Sequence, residues 1–258
     1  MTEYVRVEKT DELAVVTLDN AKSRNALARE LLLELADKLE ALRADESCRA
    51  LVLTGAHGHF CSGGDVAAMA AQRTLPMGRE RMLIAHRIVR LITTMGKPVV
   101  AAVEGYAAGA GFSLALAADA VVAADSAKFV SSFAKVSLLP DLGLMWTLPQ
   151  RVGLARAKRL LMSARVVAAD EALRIGLVDE VVEAGQHVSK AIEVAREMAA
   201  HAPIAVALLK AAYARGINTL DDALAYEMDN QAALYLTQDH REAVAAFLEK
   251  RVPVFRGI

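Results

Sequence analysis

Several things are scarce in this 258-residue chain, and each scarcity excludes something. Two cysteines, Cys48 and Cys61, are too few for a disulfide framework, so they read as ordinary thiols of a reducing compartment. The formal charge is −1, from 30 basic and 31 acidic residues, and no basic run stands out, which argues against nucleic acid as a partner. The longest stretch without charge, Gly105–Ala118, is too short and too rich in glycine to span a bilayer. Met1-Thr-Glu-Tyr lacks the apolar core of a signal peptide. The expectation is a cytoplasmic protein with no membrane partner. His57 and His59 have no cysteine or carboxylate at metal-ligand spacing, so no metal is expected and both rings read as solvated.

What is present is 55% hydrophobic residues, enough for a large core. Buried strands are predicted at Leu13–Leu18, Ala50–Thr54, Val99–Val103, Ala120–Ala124 and Val178–Val182. Between the first two, Leu27, Leu31, Leu35, Leu39 and Leu42 mark one helical face. Residues 66–78 read as a mobile stretch broken by Pro76 and Gly78, before an amphipathic helix over Arg79–Thr94. Lys128–Lys135 reads as irregular, and Val136–Trp146 as a loop that Pro140 and Gly143 keep from forming a long element. Helices are expected at Ala155–Met162 and Ala168–Ile175, then at 189–201, 203–215, 220–235 and 239–250. Alternating strands and helices followed by a helical tail indicate an α/β class.

Two strands run into glycine-rich turns: Gly55–Asp65 and Gly105–Gly111, the second feeding a short apolar helix over Phe112–Ala118. Such a turn leaves backbone N–H groups free at the positive end of a helix. Two of them converging on one oxygen, from Ser62-Gly63-Gly64-Asp65 and Gly109-Ala110-Gly111, would stabilise a developing negative charge. The plainer alternative is that the glycines only let helices pack tightly on strands. A dinucleotide site is disfavoured: Leu114 stands where the fingerprint needs a third small residue, and Asp125 comes too soon after the glycines. Ser113 with His57, His59 and His86 suggests a hydrolase, but Ser113 lacks the G-x-S-x-G elbow.

Phe60-Cys-Ser-Gly-Gly-Asp65, Glu104-Gly-Tyr-Ala-Ala-Gly-Ala-Gly111, Pro140-Asp-Leu-Gly143 and the ending Ala246–Arg256 resemble the enoyl-CoA hydratase/isomerase (crotonase) family. Asn25-Ala-Leu27 and Ala169–Val178 fit its pattern too, and the resemblance runs from about Val5 to the C-terminus. It implies a spiral of ββα units over residues 1–200 and a helical trimerisation region over 201–258. It also implies acyl-CoA thioester substrates, with CoA part of the substrate and no separate cofactor, and a homotrimer or a hexamer made of two trimers. The oxyanion-hole amides map onto Gly64 and Ala110. The backbone of Gly64–Val66 would lie near the CoA adenine, and Lys22 and Arg24 are candidate phosphate contacts. Ser62, Gly63, Asp65, Val66, Gly109, Ser113 and Phe133 complete the expected substrate-binding set.

At the catalytic positions the chain departs from the hydratases. Their two glutamates map onto Ser113 and onto Phe133, seven residues before Pro140. Adding water to a 2-enoyl thioester requires a held, deprotonated water and a proton for C2, and serine with phenylalanine supplies neither. Asp141 remains, and it resembles the carboxylate after proline in the isomerase branch. Shifting a double bond needs one base, and leucines around Asp141 would raise its pKa toward that task. Alternatively, Asp141 caps a helix beginning near Leu142. The reading is therefore a double-bond isomerase. Hydratase, hydrolase, decarboxylase or dehalogenase chemistry on the same hole, or a CoA-binding homologue without activity, are the alternatives.

Overall fold

The computed structural model describes residues 3–65 and 74–258. In chain order its elements are β1 (Val5–Thr10), β2 (Leu13–Leu18), α1 (Arg29–Ala44), β3 (Ala50–Gly55), α2 (Leu75–Thr94), β4 (Val99–Val103), β5 (Tyr106–Ala108), α3 (Ala110–Leu116), β6 (Ala120–Ala124) and β7 (Lys128–Val130). There follow α4 (Leu144–Val152), α5 (Leu154–Ser163), β8 (Val166–Ala168), α6 (Ala169–Arg174), β9 (Glu180–Val182), α7 (His187–Ala199), α8 (Pro203–Arg215), α9 (Leu220–Leu234) and α10 (Gln238–Glu249).

Six strands form one sheet in the order β1-β2-β3-β4-β6-β9, antiparallel only between β1 and β2. A parallel sheet is buried on both faces, which explains why β3, β4 and β6 read as unbroken apolar runs. Alternate residues serve two cores. Leu51, Leu53, Ala101 and Val121 face the core that holds Leu31, Leu35 and Leu39 of α1. Val52, Val100, Ala102 and Val122 face Ala191 and Ala195 of α7, whose small side chains let that helix lie close.

The smaller sheet, β5-β7-β8, went unread in the sequence. Its strands are three residues each, too short for a periodic signal. The stretch Lys128–Lys135 is accordingly not irregular: it forms β7 and then a 3-10 helix at Ser132–Val136. Nor do Pro76 and Gly78 break a helix, for both lie in the first turn of α2. Thr74 caps that turn by accepting from the Met77 N–H, and a proline costs nothing where the N–H has no helical acceptor. The expected loop 136–146 ends early, because α4 starts directly after Gly143, which takes a positive φ of 79°. No helix among the described residues is long and apolar enough to cross a membrane.

The tail differs in kind. Helix α9 buries no residue, and α8 buries only Ala212.

Candidate functional site

The two glycine turns meet. The Cys61 N–H donates to the Tyr106 carbonyl at 3.0 Å, and the Ala108 N–H returns to the Cys61 carbonyl at 2.9 Å. A β-carbon added at Gly63 would stand 2.6 Å from the Ala108 carbonyl oxygen and 3.5 Å from the Ala110 nitrogen. One at Gly111 would lie 2.3 Å from the Cys61 carbonyl oxygen. Glycine is required at both positions for the backbones to approach this closely. Gly109 takes φ 50° and serves as N-cap of α3, so Ala110 is the first helical residue and its N–H has no intrahelical partner. Among the described residues neither the Gly64 nor the Ala110 N–H donates to a protein acceptor. The α3 helix thus starts earlier than the predicted Phe112, which is what brings the Ala110 amide to the turn.

The segment before α1 braces the first turn. Leu27 pairs with Gly64 in an isolated parallel bridge, its N–H donating to the Gly63 carbonyl at 2.7 Å. Ser62 donates through its N–H to the Arg24 carbonyl and through its hydroxyl to the Ser23 carbonyl, at 3.0 and 2.7 Å. Lys22 and Arg24 are exposed beside this contact and form no ion pair among the described residues. Asp65 is half-buried at the end of the turn, and Val66 lies outside the described residues. Asn25, which the sequence offered only as part of the family pattern at 25–27, is a positioning residue. It is fully buried with φ 61°, and its side-chain amide donates to the carbonyls of Ala56 and His59, both at 2.9 Å. Its residue type accounts for the role: asparagine tolerates the left-handed region and can bond three ways at once.

Asp141 lies in the turn that leads into α4, and α4 packs on α3, whose first residue is Ala110. The helix-cap alternative fails. The N-cap of α4 is Gly143, no side chain caps it, and only the Asp141 backbone carbonyl bonds to the Leu144 N–H. Asp141 Oδ1 is instead buried with no hydrogen-bond partner. Burial pushes the carboxyl up to about 6, against the pull of the Arg81 charge and of its own N–H. Of the leucines expected around it, Leu142 and Leu144 are buried, whereas Leu138 and Leu139 are exposed. Leu142 itself takes φ 47°, uncommon for a leucine, so the turn is held in a strained form directly beside the carboxylate.

Ser113 is fully buried, and its hydroxyl donates to the Gly109 carbonyl at 3.3 Å. Phe133 is 5% exposed and belongs to the main core. His57 is exposed and paired with Asp19 at 2.6 Å, and His86 is exposed on α2, so no histidine serves Ser113. His59 is not simply solvated: its Nδ1 is buried without a partner, and its ring faces Tyr106. The Cys61 thiol donates to the Asn25 carbonyl, and burial pushes it up to about 12, so it stays neutral and unreactive. No group of metal-ligating side chains occurs among the described residues.

A cavity of about 660 Å³ lies elsewhere, between the C-terminal end of α3 and helices α4 and α8. Its charges are already paired, Lys210 with Asp119 and Arg151 with Asp179, and it holds neither the paired amides nor Asp141.

Comparisons with known proteins give the family. The family profile described as enoyl-CoA hydratase/isomerase matches residues 8–257. A short-chain-enoyl-CoA hydratase of Clostridium acetobutylicum is 36% identical over 96% of this chain and 95% of its own length. A 1,2-epoxyphenylacetyl-CoA isomerase of Escherichia coli is also 36% identical, over the whole of both chains. Among solved structures, an enoyl-CoA hydratase from Polaromonas superposes with a TM-score of 0.92 at 37% identity, covering 97% of this chain and 99% of that one. One from Bacillus anthracis gives 0.93 at 32% identity, covering 99% and 100%. With two glycine turns brought together and a match over nearly its whole length, the chain belongs to the enoyl-CoA hydratase/isomerase family and has the crotonase fold.

Proposed function

We propose that this protein is an enoyl-CoA isomerase that moves a double bond from C3–C4 to C2–C3 of an acyl-CoA thioester. The observation that carries the reading is the buried, unpartnered carboxylate oxygen of Asp141. As carboxylate, Asp141 takes a proton from C2, which the neighbouring thioester acidifies. The electron pair left behind delocalises through the alkene as a dienolate, its charge on the thioester oxygen. The Gly64 and Ala110 N–H groups, which have no protein acceptor among the described residues, stabilise that charge where it develops. Asp141 then gives the proton to C4 and is again a carboxylate, so no further cofactor is consumed. A carboxyl pushed up to about 6 is the stronger base for this exchange while still largely ionised at neutral pH.

Lys22 and Arg24, exposed beside the Ser62 contact, suit the CoA phosphates. The tail is proposed as the subunit contact of a trimer or of a hexamer built from two trimers. Leu209, Tyr213, Leu224, Met228, Phe247 and Leu248 are each more than half exposed in the single subunit, an apolar expanse that a lone soluble chain rarely carries. Sedimentation equilibrium should return three or six subunits, and a monomeric mass would remove this part of the reading.

Hydration is the second reading, favoured by the hydratase names that several relatives bear. The residues speak against it: Ser113 is fully buried and bonded to its own helix, and Phe133 is core. The deciding test is Asp141→Asn. It should slow 3-enoyl-CoA isomerisation and deuterium exchange at C2 by about 10²- to 10⁴-fold while acyl-CoA still binds. Unchanged exchange in that variant, or rapid hydration of crotonyl-CoA by the unmutated protein, would sink the isomerase reading.

A further inference from the structure

We propose that Arg81 is a positioning residue of this site, one guanidinium that braces the Gly64 turn from a helix packed on the Asp141 turn and lends its charge to Asp141. The inference rests on the isomerase reading for its chemistry but not for its geometry. Arg81 Nη2 donates to the Leu27 carbonyl at 3.0 Å. Leu27 is the residue bridged to Gly64, and its N–H bonds the Gly63 carbonyl. Arg81 therefore anchors, through one intervening residue, the strand-like segment that fixes the first of the two free amides.

Its placement on α2 is unusual. Ala85, Ile88 and Ile92 form the buried stripe of that helix, and Arg81 stands on the same stripe at i−4, i−7 and i−11 from them, half-buried. Charged residues on α2 such as Arg87 and Glu80 point instead to surface partners, Asp37 and Arg29. The same helix also abuts the Asp141 turn: a β-carbon at Gly143 would meet Val89 at 3.6 Å. Among the described residues Arg81 is the one charged group that acts on Asp141, drawing it toward its ionised form against the effect of burial. No other titratable group on α2, α3 or α4 exerts such a pull.

The hydrogen bond to Leu27 and the charge that acts on Asp141 make Arg81 a coupling between the halves of the site. A base must be partly desolvated to be strong, yet it must remain charged to accept a proton. The helix that carries Arg81 holds the second condition while burial imposes the first. Fixing the Leu27 carbonyl with the same group keeps the amide pair and the base in register.

The test separates charge from tether. Protein carrying ¹³Cγ-labelled aspartate, assigned by difference against Asp141→Asn, is titrated alongside Arg81→Met, Arg81→Gln and Arg81→Lys. Arg81→Met and Arg81→Gln should raise the Asp141 midpoint by about one pH unit, and Arg81→Lys should hold it near the unmutated value. Arg81→Gln retains an amide donor for the Leu27 carbonyl, so it reports the charge alone and stands in for Arg81→Met if the latter fails to fold. In turnover, the acid limb of the pH profile should move with the midpoint, with kcat falling more than KM changes. A midpoint unmoved in the neutral variants overturns the inference, whether or not the protein isomerises anything. A midpoint that moves in a protein with no isomerase turnover upholds the inference and removes the isomerase reading instead.

Discussion

Two aspartates of this chain, Asp119 and Asp141, differ in what meets their carboxylates: Asp119 is exposed yet fully bonded, whereas Asp141 is largely buried and one of its oxygens is not. Asp119, at the end of the short helix α3, accepts from the Val99 N–H at 2.7 Å and from Lys210 Nζ at 2.5 Å, with every demand of its Oδ2 met by protein. Asp141 Oδ1 is buried and met by nothing. A satisfied carboxylate ties elements together, here β4 to the tail helix α8. An unsatisfied one is held at a cost, and a fold retains such a group where the cost has a use. The lining of the nearby cavity teaches the same lesson: volume and charge are both present there, but the charges have neutralised one another.

The comparison breaks most visibly at Lys210. Its ammonium is almost wholly enclosed, burial lowering its pKa while Asp119 raises it, so Lys210→Met leaves Asp119 without its partner. We expect a loss on the order of 2 kcal/mol in denaturant unfolding, from the charged hydrogen bonds to Asp119 and to the Lys97 carbonyl, with acyl-CoA turnover per folded molecule retained. An undiminished midpoint would show that the pair contributes little and that the contrast with Asp141 is false.

Asp141→Asn should have the opposite effect on stability. Its carboxyl is pushed up to about 6, above the 3.8 of an ordinary aspartate. The folded state therefore binds the proton more tightly. Its contribution to stability is fully present below about pH 4 and is lost as pH rises through 6. At pH 7 the ionised group costs about 1–3 kcal/mol, so the asparagine variant should unfold at a higher temperature than the unmutated protein at pH 7 and show no such gain at pH 4. A variant less stable at pH 7 would mean that Asp141 is a structural group like Asp119.

How far these contrasts could be read without coordinates varies by residue. Strands β2, β3, β4 and β6 were legible because a strand buried in the sheet writes a largely apolar run, whereas the edge strand β9 begins at Glu180, two residues later than expected. Helices α7 to α10 were legible to within two residues at either end, since long periodic segments carry a strong signal. Strand β1 was missed: its pattern runs from buried to exposed along an edge strand with charged residues. Strands β5, β7 and β8 were missed for want of length. Pro76 was read as a break because proline forbids a helix interior, and only the cap at Thr74 shows that it stands at a helix start. In the site, the glycines at 63, 109 and 111 announced themselves by type. Asn25 and Arg81 did not, because nothing local distinguishes a surface asparagine or arginine from one that reaches a distant carbonyl.

The sequence by itself determined the α/β class, the strand–glycine–helix turns and the identity of the residues at the catalytic positions, since each of these is a property of neighbours along the chain. Tertiary structure alone decided that the two turns meet, that Asp119 has a lysine while Asp141 Oδ1 has no partner, and that Arg81 reaches the Leu27 carbonyl beside the Gly64 turn. Desolvation and hydrogen-bond satisfaction sum over groups far apart in sequence, and only folding sets the distances that enter that sum.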